Sequence, residues 1–300
     1  MSSLISPSRN TTDSDETRRE RRSAMKKDMA DKVVAVTGAA GVLCRALVED
    51  FLMHGARVAL IGRHRANLSA LAKRMKAKGL GQTLVVEADV LDRSALEAGL
   101  KKILRKWKRV DVLVNGAGGH HPKGVTKAEQ MTADAPVEDT FLGLEMEAFE
   151  YVNKLNFIGT VQPCQVFLPA LVKTHGSIVN VSSMAAWQSM TKGAAYAAAK
   201  AGISNFTLWL ANHLAPMGVR VNAVAPGFFI TDQNRFLLME PDGVTPTPRG
   251  RRVIAHTPMG CFGDPSDLCG PVRFLVSADA RFVTGVVLPV DGGFMASSGV

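Results

Sequence analysis

Tyrosine is nearly absent: two occur in 300 residues, Tyr151 and Tyr196. Chemistry that needs a phenol therefore has a list of two. Cysteine is also sparse. Cys44, Cys164, Cys261 and Cys269 form no CxxC, and four thiols in so long a chain do not make a disulfide framework. A reducing cytoplasm is the expected compartment. No apolar run reaches the ~20 residues that cross a bilayer, and the polar N-terminus lacks the apolar core of an export signal. No membrane role is expected. No metal is expected either, because His120 and His121 are adjacent in a loop and no Cys or carboxylate spacing supports them.

Acidic residues are outnumbered, 27 to 36 Lys plus Arg, for a net charge of +9. Residues 1–31 do not hold the surplus: seven Lys/Arg face six Asp/Glu there. The folded part carries it, in clusters such as Lys101, Lys102, Arg105, Lys106, Lys108 and Arg109, and Arg249, Arg251 and Arg252. Neither cluster has interleaved aromatics for base stacking, so nucleic acid is not expected as a partner. A small anionic substrate accounts for the charge more economically.

What is present reads as one α/β domain. Hydrophobic residues make up 46% of the chain, enough for a full core. Residues 1–31, rich in Ser, Thr, Asp, Glu and Arg, read as a disordered N-terminal extension. From 32 to 300, apolar β-branched runs alternate with helical patterns. Strands are expected near 33–37, 57–61, 83–87, 111–114, 177–181, 219–224 and 286–289. Helices are expected near 42–54, 65–78, 92–107, 145–174, 194–215 and 264–277. This alternation predicts a doubly wound, seven-stranded parallel sheet flanked by helices, with ligands beyond the C-terminal strand ends. Two long loops, roughly 119–143 and 227–262, are placed to cover or build a site.

The first strand runs straight into Gly38, then AAGVLC, then a helix. That layout offers free N–H groups to a phosphate at a helix start. Residues 111–119, DVLVNGAGG, end a strand in small residues that let a flat ring approach. Residues 177–183, SIVNVSS, end a strand in two hydroxyls. Asn156 lies in a helical stretch, and NAVAPG ends another strand at Pro226 and Gly227. In YAAAK, Tyr196 and Lys200 stand at i, i+4 on one helix face. An ammonium beside a phenol pulls its pKa down from ~10, which makes the pair an acid/base device for a carbonyl or alcohol.

Taken together, TGxxx, ADV, NGAGG, Asn, SS, YxxxK, PG and VDGG, from about Val33 to the C-terminus, resemble the short-chain dehydrogenase/reductase family. TGAAGVLC, NGAGG followed by HHPK, GFFITDQNRFLL, TPRG, AHTPMGCFG and VDGGFMASSGV resemble its bacterial D-mannonate oxidoreductase (fructuronate reductase) type. The resemblance implies a single-domain Rossmann fold, a homo-oligomer (a tetramer), and an NAD(P)-dependent enzyme acting on CH–OH groups. By it, Tyr196 is the general acid, Lys200 lowers its pKa and meets the nicotinamide ribose, Ser183 holds the substrate oxygen, and Asn156 fixes a water that refills the proton. Gly38, Ala39, Gly41 and Leu43 line the pyrophosphate turn. Asp89 and Val90 border adenine; Asn115, Gly116 and Ala117 lie along the ribose; Pro226 and Gly227 border nicotinamide. Two departures stand out: Val42 and Cys44 replace the last two glycines of the family turn, and position 120, more often Asn in this type, is His.

Charge argues the cofactor. The second strand ends at Gly62 with no acid to bind ribose hydroxyls, and Arg63 follows, able to pair with a 2′-phosphate. NADP(H) is favoured, with NAD(H) possible. A sugar-acid substrate needs a cation and polar partners, and His120, Arg235 and Arg249 are expected to supply them. Competing readings keep the fold but change the substrate to a polyol, a ketose or a 3-oxoacyl thioester. A further one makes the chain a non-catalytic dinucleotide sensor.

Overall fold

The computed structural model of the protein describes residues 28–231 and 234–297. Seven parallel strands form one sheet: β1 (Val33–Thr37), β2 (Arg57–Gly62), β3 (Thr83–Glu87), β4 (Val112–Asn115), β5 (Ser177–Val181), β6 (Arg220–Pro226) and β7 (Val287–Val290). Their order is β3-β2-β1-β4-β5-β6-β7. The chain reverses direction across the sheet between β1 and β4, which opens a crevice at their C-terminal ends. The expected strands all form, with ends moved by one or two residues.

Helices cover both faces: α1 (Val42–Met53), α2 (Arg65–Ala77), α3 (Arg93–Trp107), α4 (Met146–Asn153), α5 (Gly159–Thr174), α6 (Ala194–Leu214), the single turn α7 (Arg235–Leu238), α8 (Pro248–His256) and α9 (Cys269–Val276). Strand residues alternate between two apolar cores, as the two-residue period of a strand requires. Val34, Val36, Val58, Leu60 and Val114 pack with Leu47, Phe51, Leu68 and Val272 on one face. Val33, Ala35, Ala59, Ile61 and Leu113 pack with Ile103, Phe167, Leu171 and Leu210 on the other. A fully buried side chain such as Phe51 or Phe167 contributes ~1.5–3 kcal/mol.

Three expectations change. The helix expected over 145–174 is broken by a π-turn, Lys154–Ile158, centred on Asn156. This Met146–Thr174 stretch is long and apolar enough to cross a membrane, yet its inner side chains, Phe167 and Leu171 among them, are core of the sheet. The helix expected over 264–277 is a 3-10 turn, Pro265–Leu268, followed by α9. Residues 1–27 of the expected extension lie outside the described residues. Met29, assigned to that extension, is buried, and its N–H donates to the His54 carbonyl (3.2 Å), so the packed body begins before residue 32.

Candidate active site

The C-terminal ends of β1, β4 and β5 meet side by side, with Thr37 opposite Asn115 and Asn115 opposite Asn180. Gly38 sits at φ +63°, and a Cβ there would lie 2.8 Å from Ala117 Cα and the Gly116 carbonyl. Only glycine lets the β1 turn pack directly on the β4 turn. Thr37, fully buried, ties the two together: its Oγ1 accepts from the N–H groups of Gly116 (3.1 Å) and Ala117 (3.3 Å). Sequence reasoning had passed over Thr37, although a hydroxyl at a strand end beside a glycine turn was the available signal.

Cys44 fills the space that a family glycine leaves open. It is buried, and a Cβ on Gly116 would overlap its sulfur. Gly116→Ala is therefore expected to cost about 1–3 kcal/mol through overpacking, and adding Cys44→Ala is expected to recover most of it. Denaturant midpoints of the single and double variants check this.

The remaining cofactor positions line the same edge. Ala39 and Gly41 shape the turn: Ala39 N–H donates to the Ile61 carbonyl (3.2 Å), and Gly41 N–H to that of Gly38 (2.9 Å). Leu43 opens α1. Asp89 Oδ1 accepts from Leu91 N–H (2.9 Å), while buried Val90 packs at the start of the turn after β3. Asn115 donates to Asn180 Oδ1 (2.9 Å), and its own Oδ1 is buried without a partner. Gly227, after Pro226, approaches the Asp291 backbone, where a Cβ would lie 2.7 Å from Asp291 Cα. Arg63 donates to the Tyr151 hydroxyl (3.2 Å), and that ring meets His121 edge-on with centroids 5.7 Å apart. A glycine-lined cradle with free N–H groups at a helix start fits a dinucleotide.

Around Tyr196 the four expected catalytic groups converge. The buried Ser183 hydroxyl hydrogen-bonds the phenol, and its Oγ also accepts from Ala185 N–H (3.2 Å). Burial pushes the Tyr196 pKa up, and the bond to Ser183 partly offsets this. Lys200 is the other half of the motif. Its Nζ donates to the Val181 carbonyl (2.6 Å) and lies 5.3 Å from the Tyr196 ring centre. Burial lowers its own pKa to about 8.

Asn156 is fully buried in its π-turn. Its Nδ2 donates to the carbonyls of Gly119 (2.8 Å) and Val152 (2.8 Å), and its Oδ1 accepts from Gly119 N–H (3.2 Å). The amide thus clamps the turn after β4. A Cβ on Gly118 would fall 2.5 Å from Asn156 Oδ1 and 3.8 Å from Lys200 Nζ, so clamp and amine share one corner.

The three expected substrate residues separate. His120 stacks on Tyr196, with centroids 4.3 Å apart and planes 29° from parallel. Desolvation, aided by the Lys200 charge, lowers its pKa, which keeps the imidazole neutral at pH 7. Arg249 is committed elsewhere: it donates to Glu129 (2.7 Å) and Thr191 (3.1 Å), and Arg252 grips the same carboxylate (2.8 and 2.9 Å). This clasp joins the two long loops, and Glu129 was missed because contacts across 120 residues leave no local pattern. Arg235 lies beside Val42 and Arg45 at the start of α1. Arg235 and Arg249, both expected at the substrate, are not brought together.

A model of the short chain dehydrogenase family matches residues 32–240. The uncharacterized oxidoreductase UxuB of Bacillus subtilis (strain 168) is 45% identical over 275 residues, 91% of this chain and 98% of the relative. A 3-oxoacyl-[acyl-carrier-protein] reductase of Thermotoga maritima is 33% identical, covering 88% and 98%. Among solved structures, a provisionally named D-mannonate oxidoreductase from Haemophilus influenzae with bound NAD superimposes with a TM-score of 0.86. It is 39% identical, over 90% of this chain and 97% of that one.

Proposed function

Since the chain belongs to the short-chain dehydrogenase family and is an NAD(P)-dependent oxidoreductase, we propose that it interconverts a keto sugar acid and its hydroxy acid, of the fructuronate/mannonate type. The observation that carries this is the convergence of Ser183, Tyr196 and Lys200 beside a cradle for a dinucleotide. The Haemophilus relative, with its provisional name, supports the substrate class.

Hydride is what a bound nicotinamide supplies. The chain supplies position and a proton. Ser183 orients the substrate oxygen against Tyr196, and the phenol, kept protonated by burial, donates to that oxygen during reduction. Lys200 offers its ammonium at the same corner. Asn156 holds the 118–119 turn that closes it; a water relay through Asn156 is proposed only as an extension of that clamp. His120 presents a neutral imidazole to the substrate's polar groups.

Cofactor choice is drawn from charge. Gly62 gives the end of β2 no carboxylate, and Arg63 is steadied by Tyr151. Both support NADP(H), whereas the NAD in the Haemophilus relative pulls the other way. One panel decides substrate and cofactor together: keto acids, neutral keto-sugars and a 3-oxoacyl thioester, each with NADPH and NADH, followed at the nicotinamide absorbance. Turnover of keto sugar acids is expected, faster with NADPH. Activity confined to the thioester would favour the second reading, which the Thermotoga relative supports. A strong NADH preference would reverse the cofactor choice. No turnover despite cofactor binding would leave the sensor reading.

We place the chain in a reducing cytoplasm, in keeping with four free cysteines. A homotetramer is proposed too. Ile158, Leu208 and Trp209 expose apolar area on α6 and the adjoining π-turn, and Trp209 extends a stack between Phe206 and His213. A native mass of four chains is expected; a monomer would refute it.

A further inference from the structure

A cavity of about 430 Å³ opens at the first turn of α1. Val42, Arg45, Ile230, Arg235, Phe262 and Asp264 are among its lining residues. Arg45 comes from α1 itself and Arg235 from the loop after β6, so two guanidinium groups distant in sequence are brought to one cavity. Among the described residues, neither has an ion-pair or side-chain hydrogen-bond partner. Arg63, Arg109, Arg249, Arg252 and Arg273, by contrast, all have one. Asp264 does not neutralise them directly, because its carboxylate caps the next turn, accepting from Ser266 N–H (2.8 Å) and Ser266 Oγ (2.6 Å). Among the described residues, two guanidinium groups with donors to spare thus share one recess, a setting that favours an anion.

The turn beside this recess also lacks two glycines of its family's pattern. Val42 carries a side chain where a bare backbone would come closest to a phosphate, while Cys44 is turned into the core against Gly116. We infer that Arg45 and Arg235 bind the pyrophosphate of the dinucleotide from the outer side of α1's first turn, replacing backbone donors with charged forks. Arg235 is thereby a cofactor residue and not a substrate one. The inference rests on the dinucleotide reading of the cleft, and it makes the loop after β6 part of the cofactor's grip. Guanidinium suits the task, since its donors pair with two phosphate oxygens at once.

The test is calorimetric titration of the full chain with ADP-ribose, which carries the pyrophosphate but no nicotinamide. Arg45→Ala and Arg235→Ala are each expected to weaken binding about tenfold, the effect of losing one charge-assisted hydrogen bond. Each variant is also expected to show a shallower salt dependence than the unaltered chain. Arg45→Lys is expected to recover part of the affinity. Both side chains are at least partly exposed, so folding is not at risk, and unchanged melting temperatures check this. Unaltered ADP-ribose affinity in both variants would overturn the inference. So would a raised substrate KM for Arg235→Ala at saturating cofactor with ADP-ribose binding intact. Failure of the unaltered chain to bind ADP-ribose would overturn the dinucleotide reading, and this inference with it.

Discussion

Tyr196→Phe is expected to lower kcat by about 10²–10⁴, the range of a lost general acid, with the cofactor dissociation constant unchanged. The reason is geometric before it is electrostatic. Tyr196 is the phenol bonded to Ser183 and stacked on His120, at the corner shared by Lys200 and the Asn156 clamp. The only other tyrosine, Tyr151, is tied to Arg63 and cannot substitute. Removing one oxygen leaves the ring, its stack and the fold in place, so the loss reads as chemistry.

The raised pKa of Tyr196 gives this prediction a direction in pH. A phenol kept neutral is a ready donor for reduction at pH 7 and a poor acceptor for oxidation. Reduction is therefore expected to persist through neutral pH and fall only in alkali, while alcohol oxidation rises with pH. Rates measured both ways between pH 6 and 10 check it. Retained activity in Tyr196→Phe would remove the basis of the proposed chemistry.

How far the sequence discloses this site depends on the length scale of each signal. The strands were legible because β-branched runs such as Val33–Val36 are buried on both faces and need no context. Ser183, Tyr196 and Lys200 were legible because their order along the chain is read at fixed spacing. The π-turn at Asn156 was not, since the amide that sits in it bonds Gly119, 37 residues away. The clasp of Glu129 by Arg249 and Arg252 was hidden for the same reason, and with it the true commitment of Arg249. Arg235 was assigned from its residue type and its place in a long loop, and neither says which residues the loop approaches. The accommodation of Cys44 by Gly116 involves two positions each explicable alone; only their proximity reveals that one requires the other.

Lys200→Met is expected to abolish most activity and, without ligand, to make the protein more stable at pH 7. Burial lowers the Lys200 pKa from 10.5 to about 8, so the folded chain holds this proton less tightly than the unfolded one. At about 1.4 kcal/mol per pKa unit, the charged amine costs roughly 3 kcal/mol below pH 8. That cost is fully present at pH 7 and is relieved as pH rises from about 8 toward the ordinary lysine value. Methionine is close in length and carries no charge, so it removes the penalty but leaves the Val181 carbonyl without its donor, a loss of about 1–2 kcal/mol. The balance favours the variant by about 1 kcal/mol at pH 7, or ~2–4 °C in melting temperature for a domain of this size. At pH 10 the penalty has largely gone from the unaltered chain, and only the lost hydrogen bond distinguishes the two. The order of melting temperatures should then invert. Melting curves at pH 7 and pH 10 read both points, and a variant less stable at pH 7 would mean that the buried amine is not held at strain for the sake of its chemistry.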